Sequence, residues 1–188
     1  MTETPFSWKE WWQKQAESIR IIVFSILVAA LLRWFVIEPR YIPSGSMEPT
    51  LLVNDRIMVE KLTYRWRSPR RGEIIVFEPP FRGGKAYIKR VIGLPGEEVA
   101  IHNGQVLING IPLQEPYILE PPHYEMPAYV IPPGYYWVMG DNRNNSNDSH
   151  IWGFLPQENI MGRAVFRFWP PDPRLGILSI PKKFLPET

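Results

Sequence analysis

Two serine hydroxyls stand within three residues in Ile-Pro-Ser-Gly-Ser-Met-Glu-Pro-Thr (42–50), where Ser44 and Ser46 flank Gly45. Ser and Gly are common turn residues, so an ordinary turn is one reading of the stretch. The other reading is a nucleophile, which a serine hydroxyl becomes only when a neighbouring base takes its proton. Histidine is one candidate base. Of His102, His123 and His150, the first two fall in surface-like turns, whereas His150 follows Gly-Asp-Asn-Arg-Asn-Asn-Ser-Asn-Asp-Ser (140–149). Triads are defined by geometry and not by spacing, so Ser46, His150 and Asp141 form one candidate set.

Lysine is the other. In Ala-Tyr-Ile-Lys-Arg-Val-Ile-Gly-Leu (86–94), strand alternation puts Tyr87, Lys89 and Val91 on one face and Ile88, Arg90 and Ile92 on the other. Apolar neighbours remove water from the Lys89 ammonium and lower its pKa. To accept a proton near neutral pH it must fall by about two to three units, which costs about 3–4 kcal/mol. The alternative is a lysine that snorkels to water at a strand edge.

The polar stretch 140–153 reads as an Asx-rich loop of carboxylates and hydroxyls that positions another group. It does not fit a calcium loop: Arg143 falls where a ligand is needed and no closing Glu follows.

The elements that must position these groups are mostly short strands. After Pro39, apolar runs of strand length recur: 56–62, 73–78, 87–94, 97–102, 105–110, 135–140 and 163–169. They are rich in Val, Ile, Tyr, Phe and Trp, and Gly, Pro or Asn bounds most of them. Asn103-Gly104 predicts a type I′ hairpin and Asn109-Gly110 a second turn, hence a meander. The stretch 115–134 is a Pro-rich loop or edge. The fold expected is mainly β: an antiparallel, partly barrel-like catalytic domain over 38–188.

Ahead of it, residues 19–37 predict a single transmembrane helix, with Ile21–Leu32 uncharged and Arg20 and Arg33 interrupting the longer run. Residues 1–18 are then a short cytoplasmic segment, and the large domain lies outside the cytoplasm. Trp8, Trp11 and Trp12 before the span and Trp34 and Phe35 at its end suit interfacial belts. Ser46 lies nine residues after Ile37, within about 30 Å of chain, so it stays near the bilayer surface. Net charge is only +2, which points to no nucleic-acid partner, and with no cysteine a thiol protease, disulfides and Cys-ligated metals are excluded.

Together these stretches closely resemble type I signal peptidases, membrane-anchored Ser-Lys endopeptidases that remove signal peptides. Ser44–Leu51 looks like the family's nucleophile box, Arg71–Phe77 its next strand, Tyr87–Glu97 its lysine box and Gly140–Phe154 its C-terminal box. The resemblance implies Ser46 as nucleophile and Lys89 as general base, with Ser44 and the Ser46 N–H as oxyanion donors. It implies Ser146 as the residue that orients the lysine, and Asp141, Arg143 and Asp148 as a supporting network. Ile42, Met47, Leu51, Tyr87 and Ile88 match positions that line pockets for small side chains, so Ala-x-Ala ends are the expected substrates. It implies neither metal nor cofactor, and as partners precursor proteins, the lipid bilayer and nearby protein-export machinery. The membrane is the cell membrane or an internal photosynthetic one. His150 matches no catalytic role in the family. Two rivals remain: a self-cleaving repressor with the same Ser-Lys pair, which would carry a DNA-binding helical domain, and a tethered β module that only binds exported proteins.

Overall fold

The computed structural model of the chain describes residues 8–81, 84–181 and 184. It divides into two units, residues 1–37 and 38–188. In the first, helix α1 runs from Trp8 to Phe35. No Gly or Pro falls in those 28 residues, so nothing interrupts the i→i−4 ladder. Pro39 then forbids its continuation, and strand β1 begins at Ile37. The transmembrane span expected over 19–37 is not met in that form: among the described residues no helix is long and apolar enough to cross a membrane. Between Arg20 and Arg33 the uncharged stretch Ile21–Leu32 is about 18 Å of helix, against a hydrocarbon core of about 30 Å. Ile21, Ile22, Phe24, Ile26 and Leu27 along this stretch are exposed. Residues 1–7 and the side chains of Lys9, Lys14, Trp34 and Phe35 lie outside the described residues.

The second unit is mainly antiparallel β. Its strands are β1 (Ile37–Tyr41), β2 (Arg56–Glu60), β3 (Ile74–Phe77), β4 (Tyr87–Gly93), β5 (Glu98–His102), β6 (Gln105–Ile108), β7 (Ile111–Pro112), β8 (Met126–Val130), β9 (Tyr135–Met139), β10 (Leu155–Pro156), β11 (Ile160–Trp169) and β12 (Gly176–Ile177). The larger sheet has the order β1-β2-β11-β3-β4-β9-β10, with β12 on β11. Register shifts along β11, against both β2 and β3, mark bulges that bend that strand. The smaller sheet, β7-β6-β5-β8, joins the larger one through Ile92, Trp137 and Met139, which share a core with Val99, Ile101, Val106 and Ile108.

All seven expected runs form strands. His102 pairs with Gln105 across Asn103 (φ 49°) and Gly104 (φ 72°), and Ile108 pairs with Ile111 across the second Asn-Gly, so the meander is present. The Pro-rich stretch 115–134 supplies edge strand β8, where prolines are tolerated. Gly104→Ala tests the turn. An alanine held in the left-handed region costs about 1–2 kcal/mol, so the urea midpoint falls.

Candidate active site

Ser46 sits in a single 3₁₀ turn, Gly45–Met47, between β1 and β2. Met47 and Leu51, wholly buried with Ile42 in a core of Ile57, Val59, Ile74 and Val76, pin this turn to the larger sheet. Lys89 lies in the middle of β4, opposite Ile75 of β3. Its Nζ and Ser46 Oγ are hydrogen-bonded at 2.7 Å, although 43 residues separate them in sequence. Lys89 is 4% exposed and Ser46 8%. Burial pushes the Lys89 amine down from 10.5 to about 8, against the opposing charges of Asp148 and Asp141. That shift corresponds to about 3 kcal/mol withdrawn from the protonated form. The Tyr87 ring, 5.6 Å from Nζ, is the aromatic neighbour on the same strand face.

Behind the pair, residues 140–148 leave β9 as a loop whose charged side chains are all hydrogen-bonded. Asp141 accepts from Arg90 Nε (2.8 Å), Arg90 Nη2 (2.6 Å) and Thr50 Oγ1 (2.5 Å). Arg143 donates to both oxygens of Glu115, at 2.8 and 2.5 Å, and through Nε to the Gly140 carbonyl at 3.0 Å. Asp148 accepts from the Gly140 N–H at 2.8 Å and from the His150 N–H at 3.2 Å, capping the short helix α2 (Ser149–Trp152). The loop also holds the serine turn directly: Asn142 N–H donates to the Ser46 carbonyl at 3.1 Å, and its Nδ2 to the Gly45 carbonyl at 3.2 Å.

Ser146 Oγ is buried beside this turn without a hydrogen-bond partner, so in this geometry it does not bond the lysine. Gly140 is what lets it come so close. A Cβ there would lie 2.3 Å from both Ser146 Oγ and the Ser46 carbonyl oxygen. His150 does not join a triad with Ser46 and Asp141. Its Nδ1 lies 2.7 Å from Asp148 and its ring stacks on Tyr124, while Asp141 is taken by Arg90.

The pair opens into a cleft of about 370 Å³ lined by Ser44, Ser46, Tyr87, Ile88, Lys89 and Asn147 among others. Ser44 is exposed at its lip in extended backbone. Of the five residues expected to line substrate pockets, Tyr87 and Ile88 line this cleft, and Ile42, Met47 and Leu51 are buried in the core beneath the serine turn. Sequence reading missed Arg90, Gly140, Glu115 and Tyr117. Arg90 carried a signal: a charged residue inside an apolar strand must find a buried partner. Glu115 and Tyr117 carried none, since they sit in a stretch that reads only as loop.

Residues 15–169 match the family described as signal peptidase, peptidase S26. The chain is 56% identical over 166 residues to the probable signal peptidase I-1 of Synechocystis sp., covering 85% of each. It is 53% identical over 175 residues to the signal peptidase I of Leptolyngbya laminosa, covering 89% of this chain and 86% of that one. With thylakoidal processing peptidase 1 of Arabidopsis thaliana it shares 41% over 167 residues, 84% of this chain and 49% of the plant protein. A matched stretch that runs from helix α1 to the end of β11, and carries both Ser46 and Lys89 within it, leaves one assignment: the chain belongs to the peptidase S26 family of signal peptidases.

Proposed function

We propose that this protein removes signal peptides from precursor proteins through a Ser46–Lys89 dyad, and the observation that carries the proposal is the 2.7 Å contact between a buried hydroxyl and a buried amine held near pKa 8. The neutral amine accepts the Ser46 proton as Oγ attacks the carbonyl carbon of the scissile bond. The resulting oxyanion is met by the Ser46 N–H, which as an early donor of a helical turn has no partner inside the turn, and by the Ser44 hydroxyl at the lip of the cleft. Protonated Lys89 hands its proton to the leaving amine. The acyl-enzyme is then hydrolysed by a water that Lys89 activates in the same way. Ser146, Asp141, Arg143 and Asp148 support the pair: the last three fix the loop, and Ser146 reaches Lys89 once substrate tightens the site.

Tyr87 and Ile88 present a shallow apolar wall beside the dyad, which suits small side chains before the cut. Attachment to a bilayer belongs to the same proposal. Helix α1 exposes a run of apolar side chains that a membrane would bury, and Arg20 and Arg33 at its ends can reach headgroups. The domain then works on the outer face of a cell membrane or on an internal photosynthetic membrane, beside export machinery that delivers precursors; the thylakoidal relative supports the second location.

The test is a purified full-length chain in detergent acting on a precursor with an Ala-x-Ala end. Cleavage is expected directly after the last alanine, and Phe in that position should abolish it. Because the amine must be neutral, kcat/KM should rise about tenfold per pH unit up to about pH 8 and then level off. A flat profile between pH 5 and 9 would remove Lys89 from the base role.

A further inference from the structure

Two arginines behind the dyad are almost wholly buried, Arg90 at 1% exposure and Arg143 at 0%. A guanidinium keeps its charge in any protein, so each must be neutralised where it stands. Arg90 has the Asp141 carboxylate on one edge and the Gly72 carbonyl on Nη1 at 2.9 Å. The face of Arg90 rests on the Tyr117 ring, 4.1 Å from its centroid. Arg143 has the Glu115 carboxylate, and that carboxylate accepts the Tyr117 hydroxyl at 2.8 Å. Tyr117 thus joins the two arginine–carboxylate pairs, with Phe184 packed against its ring on another side.

We infer that Tyr117 and Glu115 are positioning residues for the dyad: the ring and the carboxylate clamp the two buried arginines so that Asp141 stays neutralised beside Lys89. This rests on the dyad reading above. The groups acting on Lys89 are the Ser46 hydroxyl from the 3₁₀ turn, the Tyr87 ring from β4, and the Asp141 and Asp148 carboxylates from the loop. Both carboxylates favour the protonated amine and so oppose burial. Arg90, held on both oxygens of Asp141, offsets part of that carboxylate's charge. If the ring is removed, Arg90 loosens, Asp141 acts on Lys89 more fully, and the amine keeps its proton to higher pH. Loss of the Glu115 charge acts the other way: Arg143 becomes an uncompensated cation next to Asp141, and Lys89 loses its proton more easily.

The experiment follows Lys89 by NMR in the full chain with ¹³C-labelled lysine, its signal assigned with Lys89→Met. The titration is read without any assay of activity. Tyr117→Leu should move the midpoint up by about half a unit to one unit, which at pH 7 lowers kcat/KM about three- to tenfold. Tyr117→Phe keeps the ring and should titrate like the wild type. Glu115→Gln keeps the shape and should move the midpoint down. A general loosening of the fold would move the Tyr117→Leu and Glu115→Gln midpoints in the same direction. That result, or midpoints that do not move, or a Tyr117→Phe shift as large as that of Tyr117→Leu, overturns the inference. Should Tyr117→Leu not fold, the sign of the Glu115→Gln shift decides. A fully active Ser46→Ala enzyme, by contrast, would overturn the dyad and leave these titrations standing.

Discussion

Lys89→Met abolishes precursor cleavage and makes the protein more stable. The first half follows from the 2.7 Å contact: without an amine beside Oγ nothing takes the Ser46 proton, and loss of a positioned general base lowers kcat by about 10²–10⁴-fold. Ser46→Ala should reach the same floor or lower, because it removes the covalent path altogether. Lys89→Arg should not rescue, since a guanidinium cannot give up its proton at any working pH.

The second half follows from burial. The folded protein holds the amine near 8 and the unfolded chain near 10.5, so the unfolded state binds more protons across that window. The linkage sign is therefore a penalty of about 3 kcal/mol, present in full below pH 8 and lost as pH rises towards 10.5. Methionine fills similar volume without that penalty. Its urea midpoint should exceed that of the wild type at pH 7, and the gap should close by pH 10.5. A variant that is inactive but no more stable would mean that the amine is better solvated than its 4% exposure implies. A variant that still cleaves at a tenth of the wild-type rate would end the dyad reading.

The elements of this site were legible to different degrees, and the reasons are local. β4 could be read because it is a short apolar run bounded by Gly93, and the period of two along a strand places Lys89 between Tyr87 and Val91. Both Asn-Gly turns could be read because positive φ at two successive residues admits few other residue pairs. The serine turn was found as a motif, but that Ile42, Met47 and Leu51 are buried beneath it could not be read from the motif alone. Sequence separates apolar from polar residues but does not say which side of a turn faces a cleft. Helix α1 was visible as an apolar run, though the helix itself starts at Trp8, well before that run. The partners of Arg90 and Arg143 were hidden because Asp141 and Glu115 are 51 and 28 residues away, a distance that only the folded sheet order closes.

Gly140 shows how a residue without a side chain can still be indispensable to the chemistry. Its φ is not in the left-handed region, so backbone conformation does not require glycine there; space does. A Cβ would sit 2.3 Å from the Ser46 carbonyl oxygen, 2.3 Å from Ser146 Oγ and 2.7 Å from Ser146 Cβ. Ordinary contact needs more than an ångström beyond that, and neither neighbour is the free end of a long side chain. The Ser46 carbonyl is also held by the Asn142 N–H, and Gly140 itself is held at both ends, by Asp148 and Arg143. Gly140→Ala must therefore push the serine turn away from β4 and Lys89. A misplacement of about 1 Å costs about 100-fold in rate, and overpacking a tight site costs about 1–3 kcal/mol of stability. The expected result is a folded protein with kcat down about 100-fold, KM changed much less, and a lower urea midpoint. Since Ser46 Oγ and Lys89 Nζ separate, the Lys89 signal should also lose its sensitivity to Ser46→Ala. An alanine variant with kcat within twofold of the wild type would show that the turn can yield without moving Oγ, and would place the tolerance of the site in the loop instead of in Gly140.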